Sequence, residues 1–528
     1  MLWTSAEQDR LVAIIRAGAQ RWTAKELDAV LELGAKRKPV GFDAHSRAVQ
    51  QRYSGNQSLA VKTALEERYP TKVREMPISP VNWMRLVAAS DAGCYRQEPD
   101  RWLATAGGKK VTDTDDAAAF AWACDESDLA SVMPEAERRA LAVHNIVLHV
   151  GFEQPVRTDD GEGHPCVPMY WPHDVMAIMH PSRPTSWDAL TVLAVRQASP
   201  DTVSGRQWWW VWSREYMEDE AGAVVSWGQW HHVLVSTGGD QQGASAAPVP
   251  YEGERLPFCL LQTAQPEGTW LVDDDRDIVH VVDELNVSRS NEQYVMDLQG
   301  HTQHVYQGTL ESSLLAIGPD RVANVLPGES LTTIDYNAKF ADMREGRKLS
   351  LRELAVSRRQ SPDAYATEPG PPLSGVSRKI SNAPHEARLD ELRHVFVDFE
   401  EGELLPTIID VVNTFSSRSI DPSLSPRMTP RRAPDFEEPE ARQRRAQEAL
   451  DAGWISPARA AVEAGWYSSV DEAVEAGLAD ELKAKAPALA PFGAPGQPPP
   501  SPFAARLQAM RGEPEPMQDD DEAPTPAE

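Results

Sequence analysis

Cysteine is scarce in this chain of 528 residues and occurs only at Cys94, Cys124, Cys166 and Cys259. These positions lie far apart, and none of them forms a Cys-x-x-Cys pair. The spacing indicates neither a disulfide framework nor a zinc knuckle, so we expect buried or unreactive thiols.

Long apolar runs are also missing. No stretch approaches the length of a membrane helix, and the N-terminal residues MLWTSAEQDR lack the basic and apolar regions of a signal peptide. We therefore expect a soluble, intracellular protein without a membrane partner. The length of the chain predicts several domains rather than one.

The sequence contains none of the common catalytic motifs that we sought. There is no phosphate-binding Gly-x-x-x-x-Gly-Lys-Ser/Thr, no nucleophile elbow Gly-x-Ser-x-Gly and no His-Glu-x-x-His. We expect no catalytic residues, no cofactor and no enzymatic activity.

Several possible metal ligands lie close together in the sequence: His164, Cys166, His173, Asp174, His180, His231 and His232. Their spacing matches no recognised zinc pattern, and a metal site needs three or four convergent ligands. Structural histidines and no metal site are the favoured interpretation. A metal-dependent enzyme built on residues 164–180 stays open as an alternative.

Basic residues are in the minority. Lys and Arg number 52 against 80 Asp and Glu, which gives a formal net charge of -28 at pH 7. Duplex binding normally relies on Lys and Arg that neutralise phosphates, so the chain is not a conventional DNA-binding protein. An acidic balance also simply keeps large proteins soluble.

Hydrophobic periodicity divides the N-terminal half of the chain. Up to about Val150 the pattern is mostly helical, with Ser5 as a cap of the first helix and a clear later helix over residues 133–151. Residues 165–261 contain short strands separated by Gly, Pro, Asp and Ser clusters. The pattern predicts an α+β fold.

Tryptophans cluster in one of these strands. Trp208, Trp210 and Trp212 alternate with Trp209 and Val211, so the two sets lie on opposite faces of a strand. A sheet buried on both faces, or a face against another subunit, explains this pattern. The alternative is a Trp-rich β-domain that binds glycans, because flat aromatic rings stack on sugars.

Residues 273–377 have the layout of a helical hairpin with an insert. Asp277 to Met296 has apolar residues at helical period, and so does Asn337 to Arg359. The insert between them has Gly and Pro at turns, which predicts a small mixed lobe. After the second helix, Ser361 to Ser374 is rich in Pro and Gly, which predicts a projecting loop.

This order resembles the portal proteins of tailed bacteriophages, in which stem helix, clip, stem helix and tunnel loop follow one another. Several short motifs are similar too. LPFCLL resembles the strand before the stem, Leu285, Asn286 and Ser290 resemble a Leu-Asn-x-x-Ser stem motif, and SGVSRKI resembles the helix start behind the loop. YSGNQ, from Tyr53 to Gln57, resembles a Tyr-x-Gly-x-Gln turn.

The resemblance implies a portal fold with a helical and β-rich wing, a two-helix stem, a small α/β clip, a tunnel loop and a helical crown. The implied segments are 1–164 for the N-terminal helical wing, 165–272 for the β-rich wing, 273–299 for stem helix 1, 300–336 for the clip, 337–360 for stem helix 2, 361–377 for the tunnel loop, 378–420 for the long wing helix, 421–485 for a linker and the crown, and 486–528 for a disordered, Pro-rich acidic tail.

The resemblance also implies the function and the partners. The chain is expected to form a homo-oligomeric ring, typically of twelve subunits, at one capsid vertex, through which double-stranded DNA enters during packaging and leaves during ejection. Terminase and the head-tail adaptor would dock on the clip, and the ring would contact the major capsid and scaffold proteins. The protein would be made in the host cytoplasm and reside in the virion.

Two sets of residues are expected to carry this function. The loop residues expected at the DNA channel are Asp363, Tyr365, Glu368, Pro371 and Leu373. The stem residues expected at subunit contacts are the basic Arg344, Arg347, Lys348 and Arg352 and the acidic Asp277, Asp283 and Glu284. The basic stripe could instead face DNA or be a solvated helix face.

The loop and the segments that follow it add three expectations. The loop contains acidic residues and neither Lys nor Arg, so steric contact with DNA is favoured over gripping of phosphates. Blocks starting at Ala449, Ala461 and Ala473 repeat every twelve residues and end at Gly453, Gly465 and Gly477, which predicts short stacked helices. Residues 380–415 are expected to be helical, with interruptions at Pro384, Gly402 and Pro406.

Overall fold

The computed structural model describes residues 4–68, 76–112, 114–153, 163–197, 207–219, 224–237, 247–300, 303–307, 330–334, 340–365, 375–431, 439–451, 456–463 and 474. The chain divides into two units, Met1–Asp435 and Phe436–Glu528, which are described separately. Helices and sheets both contribute to the first unit, so the α+β expectation is confirmed.

Helices dominate the N-terminal part of the first unit. They are α1 (Ser5–Gln20), α2 (Ala24–Ala35), α3 (Phe42–Tyr53), α4 (Ser58–Arg68), α5 (Trp83–Asp91), α6 (Asp115–Glu126) and α7 (Leu129–Val143). Thr4, rather than the expected Ser5, caps α1. The Glu7 N–H donates to Thr4 Oγ1 at 3.3 Å, and the Thr4 N–H donates to Glu7 Oε2 at 3.1 Å. These two bonds form a capping box.

The helix expected over residues 133–151 ends earlier than the periodicity indicated. His144 adopts a left-handed conformation with φ 61°, and β2 (Asn145–His149) follows at once. All five residues of β2 are buried, and the strand pairs with β13 (Phe258–Gln262). A strand buried on both faces has the continuous apolar pattern of a buried helix, so periodicity could not separate the two.

An antiparallel five-stranded sheet forms the centre of the β-rich region, in the order β12-β11-β8-β7-β6. Its strands are β6 (Val175–Met179), β7 (Leu190–Gln197), β8 (Gln207–Ser213), β11 (His231–Thr237) and β12 (Val249–Pro250). The smaller strands are β3 (Gly151–Glu153), β4 (His164–Cys166), β5 (Met169–Tyr170), β9 (Tyr216–Glu218) and β10 (Val224–Trp227). Short strands were expected throughout this region.

The centre of this sheet, around β8, is buried on both faces. Trp209 and Val211 belong to an apolar cluster with residues of α1 and α2. Trp212, on the opposite face of β8, belongs to the main core and is 1% exposed. The alternation of large apolar residues along β8 therefore reflects packing on two sides.

The helix pair of the hairpin is α8 (Ile278–Gly300) and α9 (Phe340–Ser357). Between them, β14 (Gln303–Gln307) pairs antiparallel with β15 (Ser330–Ile334). The other residues of the expected clip, 301–302, 308–329 and 335–336, and the loop residues 366–374 lie outside the described residues. Helix α10 begins at Gly375, two residues before the expected end of the loop.

The expected interruption at Pro384 and the expected linker are wrong. Helix α10 (Gly375–Phe399) continues through Pro384. At Gly402 the α-helix is interrupted as expected, by a π-helical segment, Glu400–Leu404, which leads directly into α11 (Leu405–Phe415), and Pro406 lies in the first turn of α11. The wider turn of the π-helical segment accommodates an extra residue while the chain stays helical. The expected linker contains β16 (Ser425–Thr429), which pairs with β1 (Asp100–Ala104).

The second unit contains α12 (Pro439–Asp451) and α13 (Pro457–Glu463) in its described part. Ser456 caps α13, because its hydroxyl accepts the Arg459 N–H at 3.3 Å. The repeat glycines and the tail 486–528 lie outside the described residues. Among the helices that the structure describes, none is long and apolar enough to cross a membrane.

Candidate functional site

The helix pair is antiparallel, and ion pairs fix both of its ends. At one end Arg358 approaches Asp275 at 3.1 Å, just before α8 begins. At the other end Arg344 donates to Glu292 at 2.8 Å. Arg344 and Arg358 are fourteen residues apart along α9, which corresponds to roughly 21 Å of helix at 1.5 Å per residue. The two helices therefore stay side by side over about that length.

Glu292 forms ion pairs with two residues of the basic stripe. Its side chain is 6% exposed and pairs with both Arg344 and Arg347 of the same chain. Arg352 lies 3.5 Å from Asp363, and both of these side chains are half-exposed. Lys348 is partly buried on the same helix. Arg344, Arg347 and Arg352, all expected at a subunit contact, thus have partners within their own chain.

The acidic residues of α8 have intrachain partners as well. Asp283 accepts from Arg52 of α3 at 3.1 and 2.6 Å. Glu284 accepts from Arg68 of α4 at 2.7 Å, and both side chains are about half-exposed. Asp277 is exposed near the start of α8. The pairs formed by Asp283 and Glu284 join the hairpin to the N-terminal helices.

The structure brings together two motifs that are more than 200 residues apart in sequence. Asn286 is fully buried, and its amide Nδ2 donates to Gln57 Oε1 at 2.6 Å. Its Oδ1 accepts the Val81 N–H at 2.8 Å, while Ser290 Oγ accepts the Ser79 N–H at 3.2 Å. Gln57 also donates to Arg52 O at 2.9 Å. Hydrogen bonds from the polar side chains of these motifs therefore connect α8 to the N-terminal helical region.

Gly55 supports this contact through its backbone. It has φ 83°, a conformation that favours glycine, at the turn after α3. The Asn82 side chain donates to Tyr53 O at 3.0 Å, and a Cβ at Gly55 would lie 3.7 Å from its amide nitrogen. The left-handed glycine directs the chain back so that Gln57 reaches Asn286.

A second buried polar group, the Asp91 cluster, lies where α9 ends and the loop begins. It consists of Asp91, Asp275, Arg358, Gln360, Tyr365 and Arg388. Asp91 is 1% exposed; Gln360 donates to its Oδ1 at 3.0 Å, and Arg358 lies 3.5 Å from its Oδ2. The cluster ties α5, α9, α10 and the residues before α8 to the loop base.

Tyr365 was expected to contact DNA, and its position in the structure corrects that expectation. It is 3% exposed, and its hydroxyl donates to Asp91 Oδ1 at 3.3 Å. Burial raises the pKa of Tyr365 well above its ordinary value, so the hydroxyl stays protonated and able to donate. Tyr365 anchors the loop base. Asp363 is exposed, and Glu368, Pro371 and Leu373 lie outside the described residues.

His144 extends the Asp91 cluster. Its Nε2 lies 3.1 Å from Asp275 Oδ2, and its Nδ1 lies 2.6 Å from Thr263 Oγ1. The hydrogen bond from His144, helped by the charge of Arg358, lowers the pKa of Asp275 to about 2 although burial opposes the shift. Asp275 is therefore a carboxylate at neutral pH and compensates the Arg358 charge from a second side.

The histidines of the β-rich region have protein partners. His173 bonds Ser46 at 2.9 Å, His180 bonds Glu218 at 2.6 Å, and His232 accepts from Trp210 at 3.2 Å. His164 and His231 lie near backbone carbonyls. Among the described residues, no group of three or more His, Cys, Asp or Glu side chains could hold a metal ion.

The sequence interpretation missed another buried ion pair. Glu400, in the π-helical segment, is 0% exposed and accepts from Arg101 at 2.7 and 2.9 Å and from Tyr95 at 2.7 Å. Glu400 is about 300 positions from both Tyr95 and Arg101, and no local pattern connects it to them. This pair fixes the junction of α10 and α11 to the strand β1.

Comparisons with known proteins give only distant likenesses. No protein-family model matches the chain, and no curated protein matches it. A chain from the virion of a native gene transfer agent particle aligns with TM-score 0.42 and 10% identity, covering 87% of this chain and 98% of that chain. A chain from the neck of an empty gene transfer agent particle aligns with TM-score 0.41 and 9% identity, covering 80% and 94%. Likeness at this level assigns no function.

Proposed function

We propose that this chain is the portal protein of a tailed-phage-like particle. It forms a closed ring at one capsid vertex and provides the channel for packaging and ejection of double-stranded DNA. The ring is dodecameric, terminase and the head-tail adaptor dock at the clip, and the major capsid and scaffold proteins surround it. The protein is structural, and the chemistry of packaging belongs to its partners.

The hydrogen bond between Asn286 and Gln57 carries this proposal. Both residues were selected from the sequence alone, because each lies in a motif that resembles one of the portal family. Side chains 229 positions apart that bond at 2.6 Å in a buried site belong to one structural unit. Two unrelated motif matches would give no reason to expect such a contact.

The layout around the hairpin adds support. An antiparallel helix pair brackets a two-stranded hairpin, and the Asp91 cluster holds the base of the following loop. In the proposed ring the helix pair is the stem and the loop 361–374 extends from its base toward the channel. Acidic walls suit a channel that moves DNA, because like charge weakens adhesion to phosphates.

The glycan-binding alternative loses its main argument. Trp209 is 5% and Trp212 1% exposed, and both pack in apolar clusters on opposite faces of the sheet. Trp210 is partly buried against His149 and Phe258. Stacking on a sugar requires exposed faces of the tryptophan rings, and little of the ring surface is exposed at these three positions.

Electron microscopy of the purified full-length protein tests the proposal. Negative-stain images should contain end-on rings with a central hole, and sedimentation velocity should give a single large species of about a dozen subunits. A protein that stays monomeric at every concentration, both alone and with scaffold protein of its own particle, would contradict the portal assignment.

A further inference from the structure

Helix α9 carries an exposed apolar edge, here called the ridge. Leu349 is 55% exposed and Val356 is 59% exposed. They are seven residues apart, so they lie on one side of the helix and about 10 Å from each other along it. Arg352 lies between them on the same side and is half-exposed. The ridge therefore combines two branched apolar side chains with a cation.

The neighbouring side of α9 forms a groove with α8. Its volume is 540 Å³, and its apolar lining includes Ile278, Leu285 and Leu354. Gly346 and Ser350 of α9 also line it, and a Cβ added to Gly346 would meet nothing within 4 Å. Small residues on this side leave room for side chains from outside.

A closed ring needs two different, complementary surfaces on each subunit. Contacts in a ring are head-to-tail, so the surface that one copy presents on one side must fit the surface that the next copy presents on the other. The ridge and the groove lie on two sides of the same helix, at the same levels along it. Arg344, Arg347, Asp283 and Glu284 are engaged within the chain and do not supply this complementarity.

We propose that the ridge of one copy seats in the groove of the next copy, which closes the stem of the ring. This inference rests on the proposed function. Rotation about the ring axis does not change the position of a residue along that axis. If the helices run parallel to the axis, each ridge residue therefore meets groove residues of α9 that are close to it in sequence. Leu349 then packs at Gly346 and Ser350. Arg352 is half-exposed and lies 3.5 Å from Asp363 of its own chain, and in the ring it also approaches Glu353 of the next copy, an exposed acid on the groove side.

Two complementary variants test the inference. The double variant Leu349→Asp, Val356→Asp spoils the ridge and leaves the groove intact. The variant Ser350→Trp fills the groove and leaves the ridge intact. Each is expected to lose the ring on its own. In a one-to-one mixture of the two variants, only one kind of interface can still form, between the ridge of the Trp variant and the groove of the Asp variant. Sedimentation velocity of the mixture should therefore show heterodimers.

The matched control is Met217→Asp, Val225→Asp, which places the same charges at side chains that are 66% and 68% exposed on β9 and β10. This control should still form rings, and circular dichroism should show all variants folded. The inference would be overturned if the ridge variant formed rings or if the mixture stayed monomeric. The portal assignment would not be affected by either result as long as the wild-type protein forms rings. A wild-type protein that forms no rings either alone or with the scaffold protein of its own particle would instead overturn the portal assignment and the inference together.

Discussion

Replacement of Asp91 by Asn tests how firmly the loop base is held. The substitution keeps the shape of the side chain and removes its charge, so Arg358 loses one of its two carboxylates. Breaking a buried ion pair costs about 3 to 5 kcal/mol. Arg358 keeps Asp275 at 3.1 Å, and the new amide can still accept from Gln360 and Tyr365. We therefore expect the low end of the range, about 3 kcal/mol.

Hydrogen exchange measures this cost locally. The backbone N–H groups of Gln360 and Ala364 donate to Ala355 and Ser361 at 2.8 Å each, so a peptide over 358–365 reports on opening of the loop base. A loss of about 3 kcal/mol corresponds to roughly hundredfold faster exchange there. Exchange that is unchanged in this peptide, with the variant folded, would refute the role of Asp91.

Three further substitutions have expected outcomes. Glu400→Gln removes the charge opposite buried Arg101 and should cost about 3 to 5 kcal/mol in urea unfolding. Asn286→Ala leaves the Val81 N–H and Gln57 without their partner and should cost about 2 to 4 kcal/mol in the same assay. Burial raises the pKa of Glu403 to about 7, so the native state binds its proton more tightly than the unfolded state. This contribution to stability is present below about pH 4.5 and is lost as the pH rises to about 7, so Glu403→Gln should exceed wild type in stability at pH 8 and match it near pH 4.5.

Each of these expectations has a result that contradicts it. The control for the first two is Glu391→Gln, which breaks an exposed pair with Arg359 and should change stability by less than about 1 kcal/mol. A Glu400 or Asn286 variant as stable as this control would mean that its buried hydrogen bonds are not important for folding. A Glu403 variant whose stability follows that of wild type at every pH would show that this carboxyl titrates normally.

Local patterns in the sequence predicted the elements of the fold well where they were long or strongly periodic. The helix pair and the strands of the β-rich region depend on apolar spacing and turn residues, which are local properties. The errors occurred where tertiary contacts decided between two structures. Residues 145–149 became a strand because β13 pairs with them, and Pro384 was accommodated within α10.

The candidate site was only partly visible from the sequence. Asn286, Ser290 and Gln57 could be selected through their motifs, but their mutual contact could not. Asp91 gave no signal, because its partners come from α9, α10 and the loop base, more than 260 positions away. Charge spacing along α9 suggested partners in another subunit, whereas the structure gives Arg344 and Arg347 the buried Glu292 of their own chain. Complementary charge within a chain and between chains looks the same in a sequence.

A cryo-electron microscopy map of the assembled full-length protein tests the central claim most directly. The portal account predicts a closed ring whose central channel is surrounded by the helix pair α8 and α9, with the loop 361–374 directed toward the axis. A ring with these helices on its outer surface, or a particle without a continuous central channel, would contradict it.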